Sequence, residues 1–326
     1  MDTHPWAPSR SAQLHAAAHQ CADAALMVRP AGFGYNPDTA ATNAFQRPDP
    51  TGDAAAAGRA EFDGLAAALA GEGVRLCIVE DTPDPLKPDA LFPNNWVSFH
   101  EDGTVVLYPL QAASRRLERR RDVVDAVIER LGFRVSRLLD LTRHERDGRY
   151  LEGTGSLVLD HRQRVAYACR SPRTNESVLA EWSRELDYEP VTFDAVDPGG
   201  TPIYHTNVLM SLGERAAVVG LEAISEPDRG RVRERLENGG RELIEISASE
   251  IERFAGNVLE LATCDEALGE YRVLVMSATA RQALSEASFA RVAACTDEVL
   301  VAPVPTIERL GGGSVRCMLA EVFLPA

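Results

Sequence analysis

Cysteine is scarce in this 326-residue chain: there are six, Cys21, Cys77, Cys169, Cys264, Cys295 and Cys317, and no CxxC pair among them. That density excludes a disulfide scaffold, and the spacing offers no zinc-site pattern. No apolar run approaches the roughly 20 residues that span a bilayer. The N-terminal MDTHPWAPSRSAQLHAAAHQ has no basic start leading into an apolar stretch, so it does not read as a secretory signal. Positive charge is in deficit, 34 Lys and Arg against 49 Asp and Glu, for a formal net charge of −15. Such a surface suits neither phosphate backbones nor anionic membranes, so no nucleic-acid or membrane partner is expected and a cytoplasmic location is. No glycine-rich nucleotide fingerprint appears; GGGSVRC near the end lacks the strand–GxxxxGK[ST]–helix context of a P-loop.

What is present is an ordinary globular chain, 45% apolar and 25% charged. No linker divides it. The stretch DTPDPLKPDALFPNN (81–95) is short and reads as an ordered loop with turn residues. A single domain over 1–326 is therefore expected, with an N-terminal extension or helix at 1–24 and a Gly-rich turn plus C-terminal segment at 311–326. Apolar runs such as RLCIVE (75–80), TVVLYP (104–109), RVAYAC (164–169), PIYHTNVLMSLG (202–213) and AAVVGL (216–221) read as strands. Amphipathic segments at 55–70, 116–131, 174–187, 227–238, 248–254, 279–285 and 286–294 read as helices. The order strand, strand, helix, strand recurs at roughly 60 residues, which suggests pseudo-repeated αβ units.

Four segments break their apolar surroundings with polar residues. LFPNNWVSFH (91–100) places Asn94 and Asn95 before a strand, where a plain turn is the simplest reading. YLEGTGSLVLD (150–160) brings Glu152 into a strand through two glycines, which allow backbone or ligand to approach closely. In the run at 202–213, His205 and Asn207 lie two apart, on one face if the run is a strand. ERLGGGSVRCMLAEVFLPA leads three glycines and a serine into Cys317, and backbone N–H groups of such a turn favour a thiolate. Each taken alone is as readily a core or loop residue. Together, one Cys, one His and one carboxylate are the parts of nucleophilic catalysis. The pair His15 and His19 has helical metal-ligand spacing but no accompanying carboxylates, so no metal is expected. The basic run Arg115, Arg116, Arg119, Arg120 and Arg121 reads as a solvated helix face.

These segments, with MVRPAGFGYNPDTAATNAFQ (27–46) and CRSPRTNESV (169–178), occur in an order that resembles the guanidino-group-modifying superfamily of arginine deiminases, dimethylarginine hydrolases and amidinotransferases. Within it the chain most resembles the CtlX-like citrulline-utilisation hydrolases. The resemblance implies an α/β fold, a five-bladed propeller (pentein) of ββαβ units around a central active site. It implies Cys317 as nucleophile, His205 as general acid and base, and Glu152 as the group orienting His205 or a substrate nitrogen. It further implies substrate contacts from Asn94, Asn95 and Asn207, carboxylate binding by Arg116 and Arg173 with Arg115 able to exchange with Arg116, and a lid carrying Phe33 and Asn36. No cofactor is implied; the partner is a small amino acid, and a homodimer is compatible.

Where deiminases carry acidic residues around the guanidinium, this chain shows Asn94, His100 and Asn207. A guanidinium has only donors and suits carboxylates, whereas a ureido group presents a carbonyl acceptor and N–H donors that Asn can complement. The expected reaction is therefore citrulline and water to ornithine, ammonia and CO2 through an S-carbamoyl enzyme. The alternatives are an arginine deiminase or dihydrolase, a methylarginine hydrolase, an amidinotransferase, and a non-catalytic binding protein on the same propeller.

Overall fold

Among the described residues, the strand–strand–helix–strand rhythm folds into five three-stranded sheets. The computed structural model describes residues 19–48, 53–265 and 269–325. The first sheet joins the two ends of the chain: β1 (Ala24–Arg29) runs parallel to β2 (Arg75–Glu80) and antiparallel to β15 (Ala320–Glu321). The other four follow one plan, an inner strand antiparallel to a central strand that runs parallel to an outer one. They are β3 (Val97–Phe99), β4 (Thr104–Leu107) and β5 (Arg137–Asp140), then β6 (Val158–Asp160), β7 (Val165–Cys169) and β8 (Glu189–Phe193). After these come β9 (Met210–Leu212), β10 (Ala216–Val219) and β11 (Glu242–Glu245), then β12 (Leu259–Asp265), β13 (Gly269–Ser277) and β14 (Glu298–Ala302). Inner strands of neighbouring sheets touch, as β15 does β3 and β6 does β9, which arranges the five units around one axis.

Parallel pairing requires a crossover, and each crossover is helical: Ala54–Gly71, Arg121–Leu131, Glu176–Leu186, Glu226–Glu237, and the pair Ala278–Ala283 and Glu286–Ala294. Helix Ala54–Gly71 starts where the Asp53 side chain accepts from the Ala56 N–H, and it buries Phe62, Leu65 and Leu69, the apolar residues at helical spacing. Helix Arg121–Leu131 stops at Gly132, which takes a left-handed φ of 74°. All five residues of β7 are buried, as expected of a central strand with inner-face neighbours on one side and a crossover helix on the other.

Each inner strand is preceded by a tight turn. These are Pro93–Asn95 before β3, Gly153–Ser156 before β6, Thr206–Leu209 before β9, the bend through Gly256 and Asn257 before β12, and Val315–Met318 before β15. Several of these turns pack on one another at the axis. Gly155 shows why glycine is used there: a Cβ at that position would lie 2.7 Å from His205 Cε1.

The turns correct three expectations. The run 202–213 is not one strand, because Thr206–Leu209 is a helical turn and β9 covers only Met210–Leu212. His205 and Asn207 are therefore not related by strand alternation. Glu152 stands at the start of the turn Gly153–Ser156 and does not lead directly into a strand. The segment 116–131 divides into a 3₁₀ turn, Ser114–Glu118, and helix Arg121–Leu131. Of the extension read at 1–24, residues 1–18 lie outside the described residues, as does His15 of the histidine pair. Among the described residues no helix is long and apolar enough to cross a membrane, and no cluster of three or more His, Cys, Asp or Glu is placed to hold a metal ion.

Candidate active site

The axial turns bring Glu152, His205 and Cys317 into one buried centre. His205 Nε2 lies 2.9 Å from Glu152 Oε2, and the two residues are 2% and 1% exposed. Glu152 Oε1 accepts from the Gln111 N–H at 2.9 Å, and Arg173 Nη1 reaches Oε2 at 3.4 Å. Burial opposes ionisation of Glu152, but Arg173, His205 and Arg115 outweigh it and hold the carboxyl well below the usual range. Burial pushes His205 down to about 4 against the pull of Glu152. At neutral pH the pair is thus a carboxylate and a neutral imidazole. An ionised carboxylate only accepts, so Nε2 carries the proton and Nδ1 is the free acceptor.

Cys317 Sγ is approached by two amides, Asn257 Nδ2 at 3.3 Å and Asn207 Nδ2 at 3.5 Å. Asn207 Oδ1 is buried without a hydrogen-bond partner among the described residues. Asn257 was not anticipated. A signal for it exists in the chain: NVLMSL at 207–212 and NVLELA at 257–262 place the two asparagines at matching points of successive units.

Cys317 and His205 line an empty space of about 280 Å³, together with Asp89, Asn95, Arg115, Arg173 and the turn Gly311–Gly313. Arg115, not Arg116, faces this cavity. Adjacent residues of a 3₁₀ turn point about 120° apart. Arg115 turns inward to Glu118 (2.9 and 2.8 Å) and to Asn95 Oδ1 (2.6 Å). Arg116 turns outward, its side chain 30% exposed, to the Leu110 and Gln111 carbonyls and Glu145. Arg173 is buried, bonded to the Thr39 carbonyl at 2.9 Å and to Thr42 Oγ1, with its guanidinium over the Tyr204 ring.

Asn95 lines the cavity, whereas Asn94 sits behind it. Asn94 Oδ1 accepts from Asn95 Nδ2 at 3.1 Å, and Asn94 Nδ2 is buried with no partner among the described residues. Phe33 and Asn36 do not line the space. Phe33 packs so closely on Gly58 that a Cβ there would lie 2.3 Å from its ring, and Asn36 caps the turn Pro37–Ala40 and donates to Asp89 at 2.7 Å. From the same segment, Thr39 and Asn43 do line it. Asp89, read only as part of a loop, is a cavity residue. Burial raises its carboxyl against the pull of Arg115, and its Oδ1 has no hydrogen-bond partner among the described residues.

A family model described as N,N dimethylarginine dimethylhydrolase, eukaryotic, matches residues 29–324. No curated protein sequence matches the chain. Among solved structures, the substrate-bound N-terminal domain of ArgZ, an arginine dihydrolase from the ornithine-ammonia cycle in cyanobacteria, has a TM-score of 0.69 at 16% identity, over 92% of this chain and 99% of that domain. Whole ArgZ without ligand gives 0.70 at 17% identity over 93% of this chain, which spans only 41% of that protein's length. A dimethylarginine dimethylaminohydrolase variant, solved as an adduct with S-methyl-L-thiocitrulline, gives 0.62 at 16% identity over 92% of this chain and 99% of that one. The shared fold is the five-bladed α/β propeller.

Proposed function

The chain belongs to the N,N dimethylarginine dimethylhydrolase family, and from that premise we propose a cysteine-dependent hydrolase of a C–N bond in a free amino acid with a ureido or guanidino side chain. The observation that carries this reading is the cavity itself. Cys317 and His205 lie on its wall with two buried arginines and an under-partnered carboxylate, Asp89. Arginines complement an α-carboxylate and Asp89 an α-ammonium, so a zwitterion is oriented with its side chain toward the thiol.

The preferred substrate is citrulline. His205 Nδ1 accepts the Cys317 proton, and Sγ attacks the ureido carbon. The tetrahedral adduct collapses as His205 returns the proton to the departing amine of ornithine, leaving S-carbamoyl-Cys317. His205 then takes a proton from water, whose oxygen attacks the same carbon. Carbamate leaves, the thiol is restored, and carbamate decomposes to ammonia and CO2. Neutral amides around the sulfur, Asn207 and Asn257, support a neutral ureido group over a cation. No cofactor and a cytoplasmic setting belong to the same proposal.

The likeness to an arginine dihydrolase supports a second reading. The same centre would first release ammonia from arginine and then treat the resulting citrulline as above. The deciding experiment incubates the protein with citrulline, arginine, methylated arginines and agmatine, and measures ornithine, citrulline and ammonia separately. Ornithine and ammonia from citrulline, with arginine untouched, is the expected result. Consumption of arginine to ornithine would favour the dihydrolase, and citrulline accumulating from arginine a deiminase.

A further inference from the structure

Asn257 lies outside the Cys–His–Glu set, yet its amide is among the groups nearest the sulfur. Nδ2 is 3.3 Å from Cys317 Sγ and Oδ1 3.7 Å. The amide is not free to turn over. Nδ2 also donates to the Asn207 backbone carbonyl at 2.9 Å, and a half-turn would set Oδ1 against that carbonyl oxygen. One N–H is taken by the carbonyl and the other faces the sulfur. The side chain is wholly buried, so no water competes for the donor.

Backbone geometry puts it there. A Cβ on Gly256 would lie 2.5 Å from the Val208 carbonyl oxygen and 2.8 Å from the Leu209 carbonyl carbon. Only glycine lets the bend before β12 lie directly on the turn before β9. Asn207, at the matching point of that neighbouring unit, supplies the second N–H to the sulfur.

We propose that Asn257 is a catalytic residue: its fixed amide N–H stabilises and aims the thiolate that Cys317 becomes when His205 takes its proton, with Asn207 as the second donor. This rests on reading Cys317 as the nucleophile. The test compares wild type with Asn257→Ala, Asn257→Ser and Asn257→Asp. Carboxamidomethylation of Cys317 by iodoacetamide is followed by mass spectrometry at pH 7 and pH 10, alongside kcat and KM and a melting curve for each variant.

Asn257→Ala should label about ten- to a hundredfold more slowly at pH 7, the worth of a hydrogen bond to a charged group. The deficit should close at pH 10, where a thiol ionises without help. kcat should fall by a similar factor with KM unchanged. Asn257→Ser keeps a donor and should lose less; Asn257→Asp sets a carboxylate against the thiolate and should lose most. Should the alanine variant fail to fold, the order of serine against aspartate decides. Equal labelling of wild type and variants at pH 7, or equal slowing at both pH values, overturns the proposal and leaves Asn257 a packing residue. Labelling needs no substrate, so it is decided whatever the substrate class. Undiminished turnover by Cys317→Ala would separately overturn the nucleophile reading.

Discussion

Gly155 is the point where two axial turns meet: a Cβ there would lie 2.8 Å from His205 Nδ1. The turn that carries Glu152 therefore lies flat against the histidine that Glu152 holds. The 2.9 Å bond from Nε2 to the carboxylate fixes the imidazole tautomer. Glu152→Gln replaces an obligate acceptor with a group that also donates, and it leaves Arg173 a buried charge without its partner. Turnover should fall at least about 100-fold, within the range of general acid–base effects, and His205→Ala should fall about as far. Steady-state kinetics on folded variants checks this. Near-normal turnover by either would make the pair a structural hydrogen bond.

The buried histidines predict a pH effect on stability. Burial lowers both His205 and His100 to about 4 from 6.5. A histidine lowered in the folded state binds its proton only after unfolding over that interval. Its contribution is intact above about 6.5 and is lost as pH falls toward about 4, at up to about 1.4 kcal/mol per pH unit for each such group. Glu118, pushed up to about 7 by burial, works in the opposite sense over part of the window, so the informative quantity is a difference between variants. His100 bonds Ser98 Oγ at 2.8 Å through Nε2, a contact Gln can keep. Denaturant melts from pH 7 to pH 4.5 should show His100→Gln losing less stability than wild type. Parallel curves would mean that His100 is protonated in the folded protein.

Reactivity should separate the cysteines. Burial raises the thiols of Cys21, Cys77, Cys169 and Cys295 above their ordinary value. Cys317 alone of these five lines the cavity with His205. Iodoacetamide should label Cys317 first, substrate should slow that labelling, and Cys317→Ser should lose turnover while keeping its melting temperature. Faster labelling at Cys21 or Cys77 with activity retained would remove the assignment.

The repeat was legible because its central strands and amphipathic crossovers carry strong patterns: VAYAC is buried throughout, and helix Ala54–Gly71 shows its apolar spacing. Strands β5 and β8 were not legible, because RLLD and EPVTF are short outer strands with two exposed residues each. The axial turn Thr206–Leu209 was misread as strand because a one-turn helix buried on all sides has neither a 3.6 nor a 2.0 period. Choosing between Arg115 and Arg116 needed the 3₁₀ turn. Asp89 stands in a proline-rich loop with Asp81 and Asp84, and nothing in the order of residues distinguishes it. Asn257 is different, since the echo of NVL was present in the chain.

The two ends of the zwitterion should respond separately. Asp89→Asn should raise KM for the α-amino acid about tenfold or more, while 5-ureidopentanoate, which lacks the amine, should be indifferent. Arg173→Ala should raise KM for both, because both carry the carboxylate, whereas agmatine should be a poor substrate of wild type. If agmatine matches citrulline, Arg115 and Arg173 do not bind a carboxylate and the substrate class is wrong.

The choice between ureido and guanidino turns on the amides of the axial turns. Asn94 Nδ2 is a buried donor without a partner and Asn207 Oδ1 a buried acceptor without one, among the described residues. Asn207 Oδ1 can accept from a ureido N–H, and Asn94, behind the cavity wall, acts through Asn95, whose Nδ2 it holds. Asn94→Asp keeps the acceptor that Asn95 Nδ2 uses at 3.1 Å and converts the free donor into a second acceptor. The added charge behind Asn95 favours a cation in the cavity over a neutral ureido group. The substitution should therefore lower kcat/KM for citrulline and shift the citrulline-to-arginine ratio toward arginine. Both ratios are measured on the same preparations, with the Asn95→Asp variant as a second probe because Asn95 itself lines the cavity and accepts from Arg115. A wild type that already prefers arginine, or a ratio unmoved by either substitution, would make the arginine dihydrolase the better reading of this site.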